Sequence, residues 1–105
     1  MNILQLAFHT SPFNEVGKND GGGMSIYVQQ ISRNLSDNHN VTVVTGEKAE
    51  GFKDNNLEFI SLNIFESNLN VEDKEVFLKE FKNKLEESLD LKSFDAVSYT
   101  HLRAH

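Results

Sequence analysis

A histidine, an aspartate and a glycine triplet lie close together after the first apolar run, in His9-Thr-Ser-Pro-Phe-Asn-Glu-Val-Gly-Lys-Asn-Asp-Gly-Gly-Gly-Met24. Glycines lack a Cβ, so the backbone at Gly21, Gly22 and Gly23 can approach a sugar or phosphate closely. A carboxylate such as Asp20 accepts hydrogen bonds from sugar hydroxyls, and His9 donates or accepts according to its tautomer. A loop leading into a helix also presents unpaired N–H groups to an anion. The same residues read equally well without a ligand. Glycine-rich loops are often plain connectors, a histidine at a strand end is commonly structural, and Asp20 suits the cap of the next helix. Two phosphate motifs can be set aside: no G-x-G-x-x-G follows the first apolar run, and Gly17-Lys-Asn-Asp-Gly21 lacks the G-K-[ST] ending of a P-loop.

The elements that must position this loop follow from periodicity. Ile3 to Phe8 is a short apolar run that reads as a buried strand feeding the loop. Beyond it, Met24, Tyr27, Val28, Ile31 and Leu35 recur at three- and four-residue steps, which puts them on one face of a helix ending near Asp37-Asn38. The β-branched Val41-Thr-Val-Val-Thr45 reads as a second buried strand, completing a βαβ unit. Gly46 to Asn56 reads as an exposed loop, Leu57 to Leu62 as a third strand and Asn63 to Asn70 as irregular. Val71 to Leu89 carries Leu78, Phe81, Leu85 and Leu89 at helical spacing, with Glu75–Lys79 and Glu80–Lys84 pairs on its outer face. Phe94-Asp-Ala-Val97 begins a fourth strand. The order β-α-β-β-α-β predicts an α/β fold, a Rossmann-like parallel sheet with flanking helices.

Composition narrows the partners. A formal charge of −6 over 105 residues disfavours non-specific nucleic-acid binding and attraction to anionic lipid. The absence of cysteine removes disulfides, thiolate metal sites and cysteine nucleophiles, and suits a reducing compartment. Met1 to Phe8 has no basic segment and too short an apolar run for a signal peptide or a membrane span, so a cytoplasmic location without membrane insertion is expected.

His9-Thr-Ser-Pro12, Gly17, Asp20-Gly-Gly-Gly-Met24 and Ile26-Tyr27-Val28 together resemble the N-terminus of the retaining GT4 glycosyltransferases. The nearest branch holds the inositol-phosphate N-acetylglucosaminyltransferases and the sucrose-phosphate and sucrose synthases, which open with H-T-S-P followed by D-x-G-G-M/Q-x-V-Y-V. The resemblance extends more loosely through Val41–Thr45 and Lys74–Phe81. It implies the truncated N-terminal, acceptor-side domain of a GT-B enzyme, over residues 1–96. Such an enzyme transfers a sugar from a UDP-, GDP- or ADP-sugar, with retention, to an acceptor such as a sugar phosphate or inositol phosphate. Carried over by position, the resemblance implies that His9, Asp20, Ser25 and Lys74 serve the acceptor and that Gly22 and Gly23 approach the donor diphosphate. It implies neither a metal nor a resident cofactor. The family's catalytic basic and acidic groups belong to a C-terminal domain that this chain lacks, so no catalytic residue is assigned and the chain alone is expected to be inactive. Ser25 stands where the inositol-phosphate branch typically has Asn, and Glu15-Val16 where Gln-Pro is frequent, which opens donor and acceptor identity.

The end of the chain, Val97-Ser-Tyr-Thr-His-Leu-Arg-Ala-His105, resembles a translated sequencing-library adapter, so residues 97–105 are expected to be a non-native tail. The competing functional reading is a small, self-contained α/β nucleotide- or sugar-binding module without catalysis, for which a βαβ start and a glycine loop also suffice.

Overall fold

The computed structural model describes residues 1–9 and 22–100, including side chains except those of residues 22–28 and 100. Strand β1 (Asn2–Ala7), helix α1 (Gly22–Ser36) and strand β2 (Asn40–Glu47) form the βαβ unit. A short strand β3 (Phe52–Asp54) and a long strand β4 (Leu57–Phe65) follow, then helices α2 (Val71–Glu75) and α3 (Leu78–Ser88), a single 3₁₀ turn at Leu91–Ser93 and strand β5 (Ala96–Thr100). The sheet order is β3-β4-β2-β1-β5. All pairings are parallel except β3 with β4, which is antiparallel. The architecture is therefore a mostly parallel α/β sheet with flanking helices, compatible with a Rossmann-like fold.

Alternation along β1 divides the core into two layers. Ile3 and Ala7 join Val41, Val43, Leu57 and Phe59 on the face that also receives Leu35 of α1. On this face Gln5 donates its side-chain N–H to the buried hydroxyl of Ser32 at 3.0 Å, a polar contact that fixes how α1 sits on the sheet. On the other face Leu4 and Phe8 join Val44, Phe65, Phe81 and Leu85 under α3. The apolar spacing of α3 is thus spent on the sheet, and its outer Glu80–Lys84 pair forms at 3.5 Å.

Three segments depart from the sequence expectation. The stretch 46–56 is not an open loop: Glu47 completes β2 and Phe52–Asp54 folds back on β4 as a hairpin, turning at Asn55 with φ 52°. Asparagine tolerates that left-handed backbone, and the Phe52 and Phe59 rings, 5.7 Å apart, close the pair from the strand side. Second, β4 runs on to Phe65 because an irregularity lets two steps of β2, from Thr45 to Glu47, match four of β4, from Ser61 to Phe65. Asn63 supplies the second left-handed residue, φ 52°, and its amide N–H is held by the Ser61 hydroxyl at 3.0 Å. Third, the expected helix 71–89 is two helices. Asn70 caps α2 by accepting from the Asp73 N–H at 2.8 Å. The Phe77 N–H then bonds three residues back to the Lys74 carbonyl, and α3 restarts from Phe77.

Gly46 lies at the register shift, where a side chain has no room. A Cβ there would stand 2.8 Å from Phe65 Cε2 and 3.3 Å from Phe8 Cδ1, inside van der Waals contact with buried rings. Gly46→Ala is therefore expected to cost about 1–3 kcal/mol through overpacking, read as a lower midpoint in urea unfolding; an unchanged midpoint would show that the rings have room to retreat.

Candidate functional site

Open α/β sheets bind ligands outside the carboxyl ends of their strands, where the strand order reverses direction. β1 is such a place, with β2 on one side and β5 on the other. His9 lies two residues past the end of β1 and is buried, its ring edge-on to Phe8 at a centroid distance of 4.8 Å. The strand end is tied to β2 by the Phe8 carbonyl, which accepts from the Gly46 N–H at 3.2 Å and from the Thr45 hydroxyl at 3.4 Å.

Helix α2 approaches His9 from two sides. Lys74 Nζ donates to the His9 carbonyl at 2.7 Å and lies 3.3 Å from Glu47 Oε2. The ammonium also stands 5.5 Å from the centre of the Phe65 ring, within cation–π range. Lys74 is 5% exposed and Glu47 is fully enclosed, so the two charges form an internal pair. The neighbouring Glu75 is the solvent-facing partner, with Oε1 3.5 Å from His9 Nε2 and its side chain 46% exposed. On β5, partial burial and then the negative charge of Glu75 push the Tyr99 phenol above its usual range.

Of the residues singled out from sequence, His9 and Lys74 meet here, joined through the His9 backbone carbonyl. Gly22 and Gly23 are the first two residues of α1, and Ser25 falls in its opening turn. Asp20 lies outside the described residues, as do residues 10–21 in general and 101–105 at the end. The sequence reading missed Glu47, placing it in an exposed loop, and treated Glu75 only as a helix-surface partner of Lys79. The available signal for Glu47 was its position just past a β-branched strand, in line with the period of β2. Among the described residues, no group of three or more His, Asp or Glu gathers that could hold a metal ion, and no helix is long and apolar enough to cross a membrane.

Fold and site together define an α/β sheet domain with a buried histidine and an enclosed ion pair at the carboxyl end of its first strand. Curated relatives share a short stretch of sequence with it, among them the following three. Over 35 residues the chain is 43% identical to the D-inositol 3-phosphate glycosyltransferase of Kribbella flavida and 47% identical to D-inositol 3-phosphate glycosyltransferase 2 of Catenulispora acidiphila. The D-inositol 3-phosphate glycosyltransferase of Geodermatophilus obscurus is 43% identical over 35 residues. Each match spans 33% of this chain and 8% of the relative. No protein-family model matches the chain, and no solved structure matches it significantly. The chain thus carries glycosyltransferase-like sequence over a short stretch, within an α/β sheet of compatible form.

Proposed function

We propose that this chain is the acceptor-side part of a retaining glycosyltransferase of GT-B fold. It would act with a second domain to move a sugar from a nucleotide-sugar donor to an acceptor carrying phosphate. The observation that supports the reading is the local identity to inositol-phosphate glycosyltransferases, in a chain whose mostly parallel sheet sets β1 between β2 and β5. In this reading His9, Asp20 and Ser25 line the acceptor side, while the backbone of Gly22 and Gly23 meets the donor diphosphate. Donated N–H groups at that helix start would stabilise charge building on the leaving diphosphate, with basic groups of the second domain. Lys74 belongs to the acceptor side too; two of its ammonium contacts go to Glu47 and the His9 carbonyl, so an acceptor phosphate would share or compete for the same group. The reaction would take place in the cytoplasm without a resident cofactor.

Residues 1–96 form the domain in this proposal and 97–105 a tail of adapter origin. Val97 and Tyr99 suit an edge strand whatever their source, since β-branched and aromatic side chains favour a pleated surface. Reading the parent DNA across Ala96 tests that point, and a continuous genomic frame encoding the same tail would sink it. The activity is tested by incubating the full genomic reading frame with UDP-, GDP- or ADP-sugars and inositol or sugar phosphates. Release of nucleoside diphosphate with retained anomeric configuration is the expected result. Residues 1–105 alone are expected to give no turnover, and measurable turnover by them would refute the division of labour between two domains.

A further inference from the structure

The Lys74 ammonium has three protons on a flexible four-carbon stem, and nothing intrinsic to lysine would hold it on one particular carbonyl. Glu47 supplies the constraint. Its carboxylate is fully enclosed and stands 3.3 Å from Nζ, while Nζ donates to the His9 carbonyl at 2.7 Å. Glu47 is itself anchored at both backbone groups: its N–H donates to the Thr45 hydroxyl at 3.2 Å and its carbonyl accepts from the Ser61 hydroxyl at 2.6 Å. The same Thr45 hydroxyl reaches the Phe8 carbonyl, so the end of β2 grips the last two carbonyls before the glycine loop, one directly and one through Lys74.

We infer that Glu47 is the positioning residue of this site. By holding the Lys74 ammonium on the His9 carbonyl, it fixes where the chain leaves β1 before any ligand arrives. The consequence extends to the His9 ring, because Lys74 and Glu75 are consecutive in α2, and a helix held by Lys74 on the carbonyl brings Glu75 to Nε2. A buried apolar pair would fill the same space, but it would not direct a donor at a backbone carbonyl. The role rests on the reading of His9 as a site residue, whereas the contact itself does not.

The His9 carbonyl can be observed alone. His9-Thr10 is the only His-Thr step in the sequence, so labelling histidine with carbonyl ¹³C and threonine with ¹⁵N gives one correlated NMR signal. Glu47→Gln and Lys74→Met are both expected to move that ¹³C signal to higher field, in the same direction, through loss of the charged donor. Leu57→Ala, a core truncation on the other face of the sheet, is expected to leave it in place. If Glu47→Gln fails to fold, Glu47→Asp supplies the readout, since it keeps the charge but draws it one methylene away from Lys74 Nζ, and the signal is again expected to move. A signal that moves with Lys74→Met but not with the Glu47 variant overturns the inference. Adding inositol phosphate to the parent chain is a separate arm; an unmoved signal there counts against the proposed acceptor site and leaves the positioning role standing.

Discussion

Lys74→Met is expected to lower the unfolding free energy by about 3–5 kcal/mol, the range for removing one member of a buried ion pair. The reason lies in what remains. Glu47 keeps its place at the end of β2 with no solvent exposure, so its carboxylate must either stay charged without the ammonium or take up a proton to remain folded. The His9 carbonyl loses its donor at the same time. Adding Glu47→Gln to Lys74→Met removes the stranded charge and is expected to recover most of the loss, because two neutral groups of similar volume tolerate burial far better than one lone charge. Urea unfolding of the four proteins gives the coupling directly, since contacting residues depart from additivity. A loss below about 1 kcal/mol for Lys74→Met would place this pair with solvated surface pairs and contradict the enclosure described above. The exposed Lys48–Glu66 pair, at 2.9 Å, is the internal comparison: solvent screens it, and its removal should be nearly silent.

How far the sequence announces this arrangement depends on the kind of signal each residue carries. The strands and helices that bury a full apolar face are legible: Ile3–Phe8, Val41–Thr45, Leu57–Leu62 and the Leu78, Phe81, Leu85 series all occur where periodicity puts them. The hairpin strand β3 is invisible to that method because Phe52-Lys-Asp54 is too short to show a period, although Asn55-Asn56 before an apolar run is a turn signal. The break between α2 and α3 is equally silent. Lys74, Phe77, Leu78 and Phe81 keep helical spacing across it, and the break shows only in the backbone, where the Phe77 N–H bonds to the Lys74 carbonyl three residues back.

The site was half legible for a related reason. His9 is singled out by its type and place and Lys74 by resemblance, but their meeting could not be read from residues 65 positions apart. Glu47 carried the opposite sign of information: a charged residue beside Gly46 and Lys48 looks solvated, yet it ends β2 at the register shift against β4 and is fully buried. Buried charges are the cases where composition misleads, because hydropathy records the side chain and not the partner waiting for it.

Phe8 is where the second large effect is expected, with Phe8→Ala costing about 3–5 kcal/mol, the range for truncating a buried aromatic side chain. Its ring is fully enclosed and meets three others edge-on: His9 at 4.8 Å, Phe81 at 4.9 Å and Phe65 at 5.2 Å. Edge-to-face contacts of this kind add to the loss from area alone. The cavity would open between α3 and the sheet, directly beneath Gly46, whose missing Cβ already lets Phe8 and Phe65 close together. That placement couples the two sites. In Phe8→Ala the rings that exclude a side chain at Gly46 have space to move, so Gly46→Ala should cost less in that background than in the parent. Urea midpoints of the parent, the two single variants and the double variant test this, and strict additivity of the two losses would show that the Phe8 ring does not transmit the constraint at Gly46.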